Sequence, residues 1–284
     1  MVLMLVVVGV SHACMSGPPT GTGVATSSDG TAISYSVRGD GPTTLLFVHG
    51  WACDQTYWSA QVGELAEAYT VVTLDLAGHG LSGDSRQDWS IARFAEDVVA
   101  VLKALELTDV VLIGHSLGGF IVLETALAAP DRVAGVVGVD TLTDRHARGP
   151  FEPVLASMRE DFRAATETLV RGMFLDSSPP ELVERIVEDM ASQPPGQGIA
   201  ALEALQTWGP RRMDAALREL SAPLGMIQTS KFRQGSSMVA AKLSNGLERR
   251  NVELDGLSHF LMAEDPARFN DALIALVRDL TSSD

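Results

Sequence analysis

Cysteine is nearly absent from this chain. Cys14 and Cys53 are the two it has in 284 residues, so no disulfide framework holds the fold. Positive charge is also scarce: 21 Lys and Arg face 36 Asp and Glu, for a formal net charge of -15. Nothing in the sequence reads as a basic block or an aromatic-interleaved basic stripe. Phosphate backbones are bound by clustered Lys and Arg, so nucleic acid is excluded as a partner. The apolar stretch Val2–Val10 is far too short to span a bilayer. No Cys/His spacing suggests a structural metal. Internal repeats and low-complexity tracts are missing too.

What remains is the composition of a folded globular protein, 46% hydrophobic and 20% charged. The length suits one large α/β domain or two small ones. Residues 1–23 read as a separate leader and tether. In it, Val2–Val10 is followed by the small residues Ser11 and Ala13, then Cys14 and a Gly/Pro/Thr stretch. That resembles a secretory signal, and more loosely a bacterial lipoprotein signal acylated at Cys14. The expectation is export (periplasmic, secreted or lipid-anchored), or a cytoplasmic location if the segment is no signal. Membrane attachment is expected only through a lipid on Cys14.

From about residue 30 the chain alternates strand-like and helix-like segments. Residues 31–37 alternate polar and apolar, as an antiparallel strand with one wet face would. Residues 43–49, 70–76, 109–114 and 133–140 are short apolar runs rich in Val and Leu, which predicts strands buried on both faces of a parallel sheet. Helices are predicted over 57–68, 90–106 and 117–129. The second of these spaces Ile91, Phe94, Val98, Val101, Leu102 and Leu105 on one face. Between about 145 and 215 the chain reads helix after helix, with "SSPP" and "QPPGQG" as breakers. Strands return at 222–229 and 251–256, and Asp265-Pro266 opens a final helix to residue 280. These segments predict a doubly wound, mostly parallel sheet, with core residues 24–144 and 216–284 and a helical cap over 145–215.

The stretch "VVLIGHSLGGF" ends a buried strand in Gly114-His115-Ser116-Leu117-Gly118 and enters a helix. A G-x-S-x-G in that setting points to a nucleophile on a tight strand-to-helix turn. A serine hydroxyl is a poor nucleophile until a base takes its proton. His259, on a loop after the last strand, is the expected base, with His146 at the opening of the cap as the outside rival. The Leu117 amide, at a helix N-terminus, can donate to a negative oxygen. The Trp51 amide, in the loop "HGW" after an earlier strand, is the natural second donor of an oxyanion hole. His49 is expected to brace that loop. Asp75 and His79 read as a structural loop, Glu264 as support for the final helix start, and Cys53 as a quiet buried thiol.

Four blocks, "FVHGWACDQTYW", "VTLDLAGHGLSG", "VVLIGHSLGGF" and "LSHFLMAEDPARF", together resemble the α/β-hydrolase family in its cap-bearing branch. The resemblance covers residues 30–282. It implies an eight-stranded sheet in which only the second strand is antiparallel. It also implies acyl transfer through Ser116, His259 and an acid, with no metal or cofactor. The family often carries that acid after the seventh strand, but Ile227–Ser237 contains none. Some members place it after the sixth strand, which makes Asp140 the first candidate and Asp144 the second. The expected function is a serine carboxylesterase with a small-molecule, apolar-leaning ester substrate. The cap residues Met158, Phe162, Met173, Phe174, Met190 and Trp208 would supply part of its pocket. The alternatives are C–C bond or lactone hydrolysis, cofactor-free perhydrolysis, or a ligand receptor with little turnover.

Overall fold

Eight strands form one sheet in the computed structural model, whose described residues are 20–141, 152–230 and 249–282. They are β1 Gly21–Thr26, β2 Ala32–Arg38, β3 Thr44–Val48, β4 Thr70–Leu74, β5 Val110–His115, β6 Val133–Val139, β7 Leu224–Gln228 and β8 Arg249–Glu253. Their spatial order is β1-β2-β4-β3-β5-β6-β7-β8. β2 runs antiparallel to β1 and β4, and every other pairing is parallel. This is the α/β architecture that the family resemblance implies. Cys14, Asp144 and His146 lie outside the described residues.

The apolar runs explain the layers. Every residue of β4 and β5 is buried, because helices cover both faces of the central strands. α1 (Ser59–Leu65) packs on the last helix, α9 (Pro266–Thr281), while α2 (Ile91–Ala104) packs on α3 (Leu117–Ala128). α2 starts at Ser90, whose hydroxyl accepts from the Arg93 amide, and buries Ile91, Phe94, Val98, Val101 and Leu102 as spaced. Asp97 shares that buried face because Arg86 pairs with it there. α9 starts as expected, with the Asp265 carboxylate accepting from the Arg268 amide and Pro266 in the first turn.

Among the described residues, four helices lie between β6 and β7: α4 Glu152–Glu160, α5 Phe162–Arg171, α6 Pro180–Ala191 and α7 Pro195–Glu219. Short α8, Leu261–Glu264, follows β8. Among the described residues no helix is long and apolar enough to cross a membrane.

Two expected boundaries move. Residues 21–23, read as tether, belong to β1. Gly23 lies opposite Tyr35 in the ladder, and a Cβ there would meet the Tyr35 ring at 2.5 Å. The tyrosine thus covers the glycine that made this segment look like a linker. The boundary at 215/216 falls inside α7, which continues to Glu219 with Pro210 in its interior. "QPPGQG" separates α6 from α7 as expected and also begins α7, with Pro195 at a position whose N–H would lack an intrahelical partner anyway.

Candidate active site

Ser116 stands between β5 and α3 with φ 52° and ψ −117°. Side-chain-bearing residues rarely adopt this conformation, so the surroundings must impose it. Two glycines allow the turn by close approach. A Cβ on Gly114 would lie 2.5 Å from the Gly118 carbonyl carbon, and one on Gly118 would lie 2.5 Å from the Val48 oxygen. The Ser116 amide donates to the Val139 carbonyl at 3.0 Å, and the Ser116 carbonyl accepts from the Gly119 amide at 3.0 Å. That carbonyl also accepts from Thr141 Oγ1 at 2.5 Å. The serine turn therefore hangs on the end of β6, beside Asp140.

Asp140 is itself left-handed, with φ 47°, and its side chain is fully buried. Its amide donates to the Ile227 carbonyl at 2.8 Å. Oδ1 accepts from the Thr229 amide at 2.8 Å and from Thr229 Oγ1 at 3.0 Å, while Oδ2 accepts from His259 Nδ1 at 2.8 Å. A carboxylate can only accept here, so Nδ1 carries the ring proton and the neutral imidazole keeps its lone pair on Nε2. The structure thus brings Ser116, Asp140 and His259 to one end of the sheet. Thr229, unnoticed in the sequence, stands just after β7, near where the family often carries its acid.

The loop after β3 lies against the serine turn: a Cβ on Gly50 would be 3.3 Å from the Ser116 Cβ. His49 braces it as expected. Its Nδ1–H donates to the Gly50 carbonyl at 2.8 Å, and its Nε2 accepts from the Leu76 amide at 3.0 Å. Burial lowers the pKa of His49 to about 4, which keeps the ring in that one tautomer at neutral pH. Trp51 follows, and Leu117 opens α3, where the first-turn amides have no intrahelical acceptor. Asp75 closes its own loop by accepting from the Gln55 amide at 2.8 Å and the Leu81 amide at 3.0 Å. Burial, then the neighbouring His49, lowers His79 to about 4. Cys53 is buried, donates to the Trp51 carbonyl at 3.3 Å, and has its thiol pKa pushed up by burial. Glu264, just before the start of α9, supports the histidine loop, accepting from the Ser258 amide at 2.6 Å.

The segment 152–219 reaches this end of the sheet through backbone carbonyls and aromatic rings. Met173 O accepts from the His259 amide at 3.2 Å, and Gly198 O accepts from Trp51 Nε1 at 2.7 Å. Phe174 stacks on Phe260 at 5.0 Å, Phe162 meets Trp51 at 6.3 Å, and Trp208 meets Phe120 at 5.5 Å. Met158 and Met190 are buried. Among the described residues no group of three or more His, Cys, Asp and Glu could hold a metal ion.

Comparison with known proteins fits this geometry. Over 256 residues the chain is 26% identical to 3-oxoadipate enol-lactonase 2 of Acinetobacter baylyi, covering 87% of this chain and 93% of that one. An esterase structure from Exiguobacterium antarcticum is 18% identical with a TM-score of 0.80, covering 90% and 98% of the two chains. A bromoperoxidase structure from Bacillus anthracis is 21% identical with a TM-score of 0.79, covering 91% and 100%. Both structures are similar in fold. Against several longer curated proteins the chain matches over 100 to 108 residues and spans 29% of their length. The model of the alpha/beta hydrolase family matches residues 45–272, which takes in β4 to β8, nearly all of β3, the serine turn and the histidine loop described above, and the chain belongs to that family.

Proposed function

We propose that the protein is a serine carboxylesterase acting on small to medium, apolar-leaning esters. The observation that carries this reading is the buried His259–Asp140 bond at 2.8 Å, beside a serine held at φ 52°. His259 Nε2 takes the Ser116 proton as Oγ attacks the ester carbonyl, and the Trp51 and Leu117 amides hold the oxyanion. The protonated imidazole then donates to the leaving alcohol, giving an acyl-serine. Water, deprotonated by the same nitrogen, releases the acid and restores the serine. Asp140 fixes the tautomer throughout and stabilises the imidazolium. The helices of residues 152–219 act as a cap, with Phe162 and Trp51 as part of the substrate wall.

The test is turnover of p-nitrophenyl butyrate by wild type and Ser116→Ala, with folding followed by circular dichroism. Wild-type turnover that Ser116→Ala abolishes is the expected result. A folded but inert wild type overturns the reading in favour of a ligand receptor. The enol-lactonase similarity supports one rival reaction, lactone opening on the same three residues. A lactone panel turned over better than open-chain esters would favour it. The leader reading stands as a further proposal, tested by cell fractionation and by labelling of Cys14 with a fatty-acid analogue.

A further inference from the structure

His115 precedes the serine, yet its ring turns into the protein and takes no part in the steps above. It is 1% exposed and packs on the rings of His259 at 4.6 Å, Phe260 at 5.7 Å and Trp58 at 6.4 Å. Its Nε2 lies 2.9 Å from the His259 carbonyl oxygen. A carbonyl has no proton to give, so Nε2 donates and Nδ1 bears the lone pair. Nδ1 is buried with no hydrogen-bond partner among the described residues. It points toward Gly50, where a Cβ would come within 2.9 Å. A second proton on the ring would find no acceptor, and burial together with the adjacent His259 holds the pKa far below the usual value. The ring is therefore a neutral, fixed donor.

The bonds that hold His259 include Nδ1 to Asp140, the amide to Met173 O, and the carbonyl to His115. The last of these comes from the segment that also carries Ser116. We propose that His115 is a positioning residue that sets the distance between base and nucleophile, by holding the His259 carbonyl from the position next to Ser116. This rests on the esterase reading. Proton transfer from Ser116 to His259 tolerates little displacement, and a misplacement of about 1 Å costs on the order of a hundredfold in rate. Substrate binding does not use the bond, so its loss should fall on kcat and spare KM.

The experiment compares His115→Phe, His115→Gln and His115→Asn on p-nitrophenyl butyrate, with Tm measured for each. Phe keeps the ring contacts but donates nothing. Gln carries its amide nitrogen about as far out as the imidazole Nε2. Asn carries it at the Nδ1 position, facing Gly50. The expected result is a kcat loss of about 30- to 100-fold for Phe with KM within about twofold, and recovery of about tenfold for Gln but not for Asn. A Phe variant within about threefold of wild type, or a Gln variant no faster than Asn, overturns the inference. Should Phe not fold, the Gln–Asn pair decides alone.

A second readout needs no turnover. The downfield proton of His259 Nδ1–H, assigned by its loss in Asp140→Asn, should broaden in Phe and sharpen again in Gln. An unchanged signal in Phe overturns the positioning role whatever the substrate proves to be. An inert wild type with the expected proton changes overturns the esterase reading alone.

Discussion

The end of the sheet and the helices of residues 152–219 are built on opposite terms. At the sheet end the polar groups are buried and bonded: His49, His115, Asp140 and His259 are 0%, 1%, 0% and 3% exposed. Strand ends, close-approach glycines and strained turns define their positions to within a hydrogen bond. The helices share buried apolar side chains, among them Leu155, Val170, Ile186 and Met190, but the ion pairs between them, Arg159–Glu203, Arg163–Glu188 and Arg171–Glu184, have side chains 45% to 66% exposed. This segment touches the site through the Met173 and Gly198 carbonyls and through aromatic rings, Phe174 stacked on Phe260 among them. Buried polar groups lose much when a partner is removed, whereas exposed ion pairs lose little. The sheet should therefore be intolerant of single changes that the helices absorb.

The largest effect should come from Asp140→Asn. The new Oδ1 can still accept from Thr229, so the fold survives. Its Nδ2 would face His259 as a donor, which drives the ring proton to Nε2, where the base must be bare. A kcat loss of about ten-thousandfold on p-nitrophenyl butyrate is expected, with Tm near wild type. A loss below about tenfold would mean that the acid lies elsewhere, and the comparison would lose its strongest member.

Next in size is Arg86→Ala, a test of the same principle away from the site. Arg86 and Asp97 are 1% and 0% exposed, and Asp97 also accepts from Ser27 Oγ at 2.7 Å and the Ala77 amide at 3.2 Å. Removing one partner of a buried pair costs about 3–5 kcal/mol. Burial already raises the Asp97 pKa despite Arg86, and without Arg86 it rises further. A carboxyl whose folded pKa lies above its unfolded value of about 3.9 is bound as the acid more tightly in the native state. Stability then falls as pH rises through that window, so the Tm deficit should be larger at about pH 8 than at about pH 5. A deficit that shrinks with rising pH would contradict an unpaired Asp97.

The same contrast explains what the sequence made legible. The central strands read clearly because burial on both faces demands apolar runs rich in Val and Leu. Ser116 is legible as a candidate from the G-x-S-x-G at a strand-to-helix turn, and His259 from its place in the chain, on a loop after the last strand. β1 was hidden because its Gly23 is covered from across the ladder by Tyr35, a contact with no local signal. Asp140 stood out only as one of two acids, since its partners, Thr229 and His259, arrive 89 and 119 residues later. Met173 O and Gly198 O could not be read at all, because a carbonyl is the same at every position.

The smallest effect should come from the best-formed exposed pair. Arg171 meets Glu184 through two bonds, at 2.6 and 2.7 Å, joining α5 to α6. Two parallel bonds to a carboxylate are the strongest geometry such a pair can have, so it is the hardest case for the claim that these pairs matter little. Water competes for both partners, and ions screen them over about 10 Å at 0.1 M salt. Arg171→Ala should leave kcat unchanged and lower Tm by no more than about 2 °C. That difference should vanish at about 0.5 M NaCl, while the Arg86→Ala deficit persists there, because ions do not reach a buried pair. An Arg171 effect as large as that of Arg86, or one that salt leaves intact, would mean that the helices are held as rigidly as the sheet. The division between a fixed sheet end and adaptable helices would then fail.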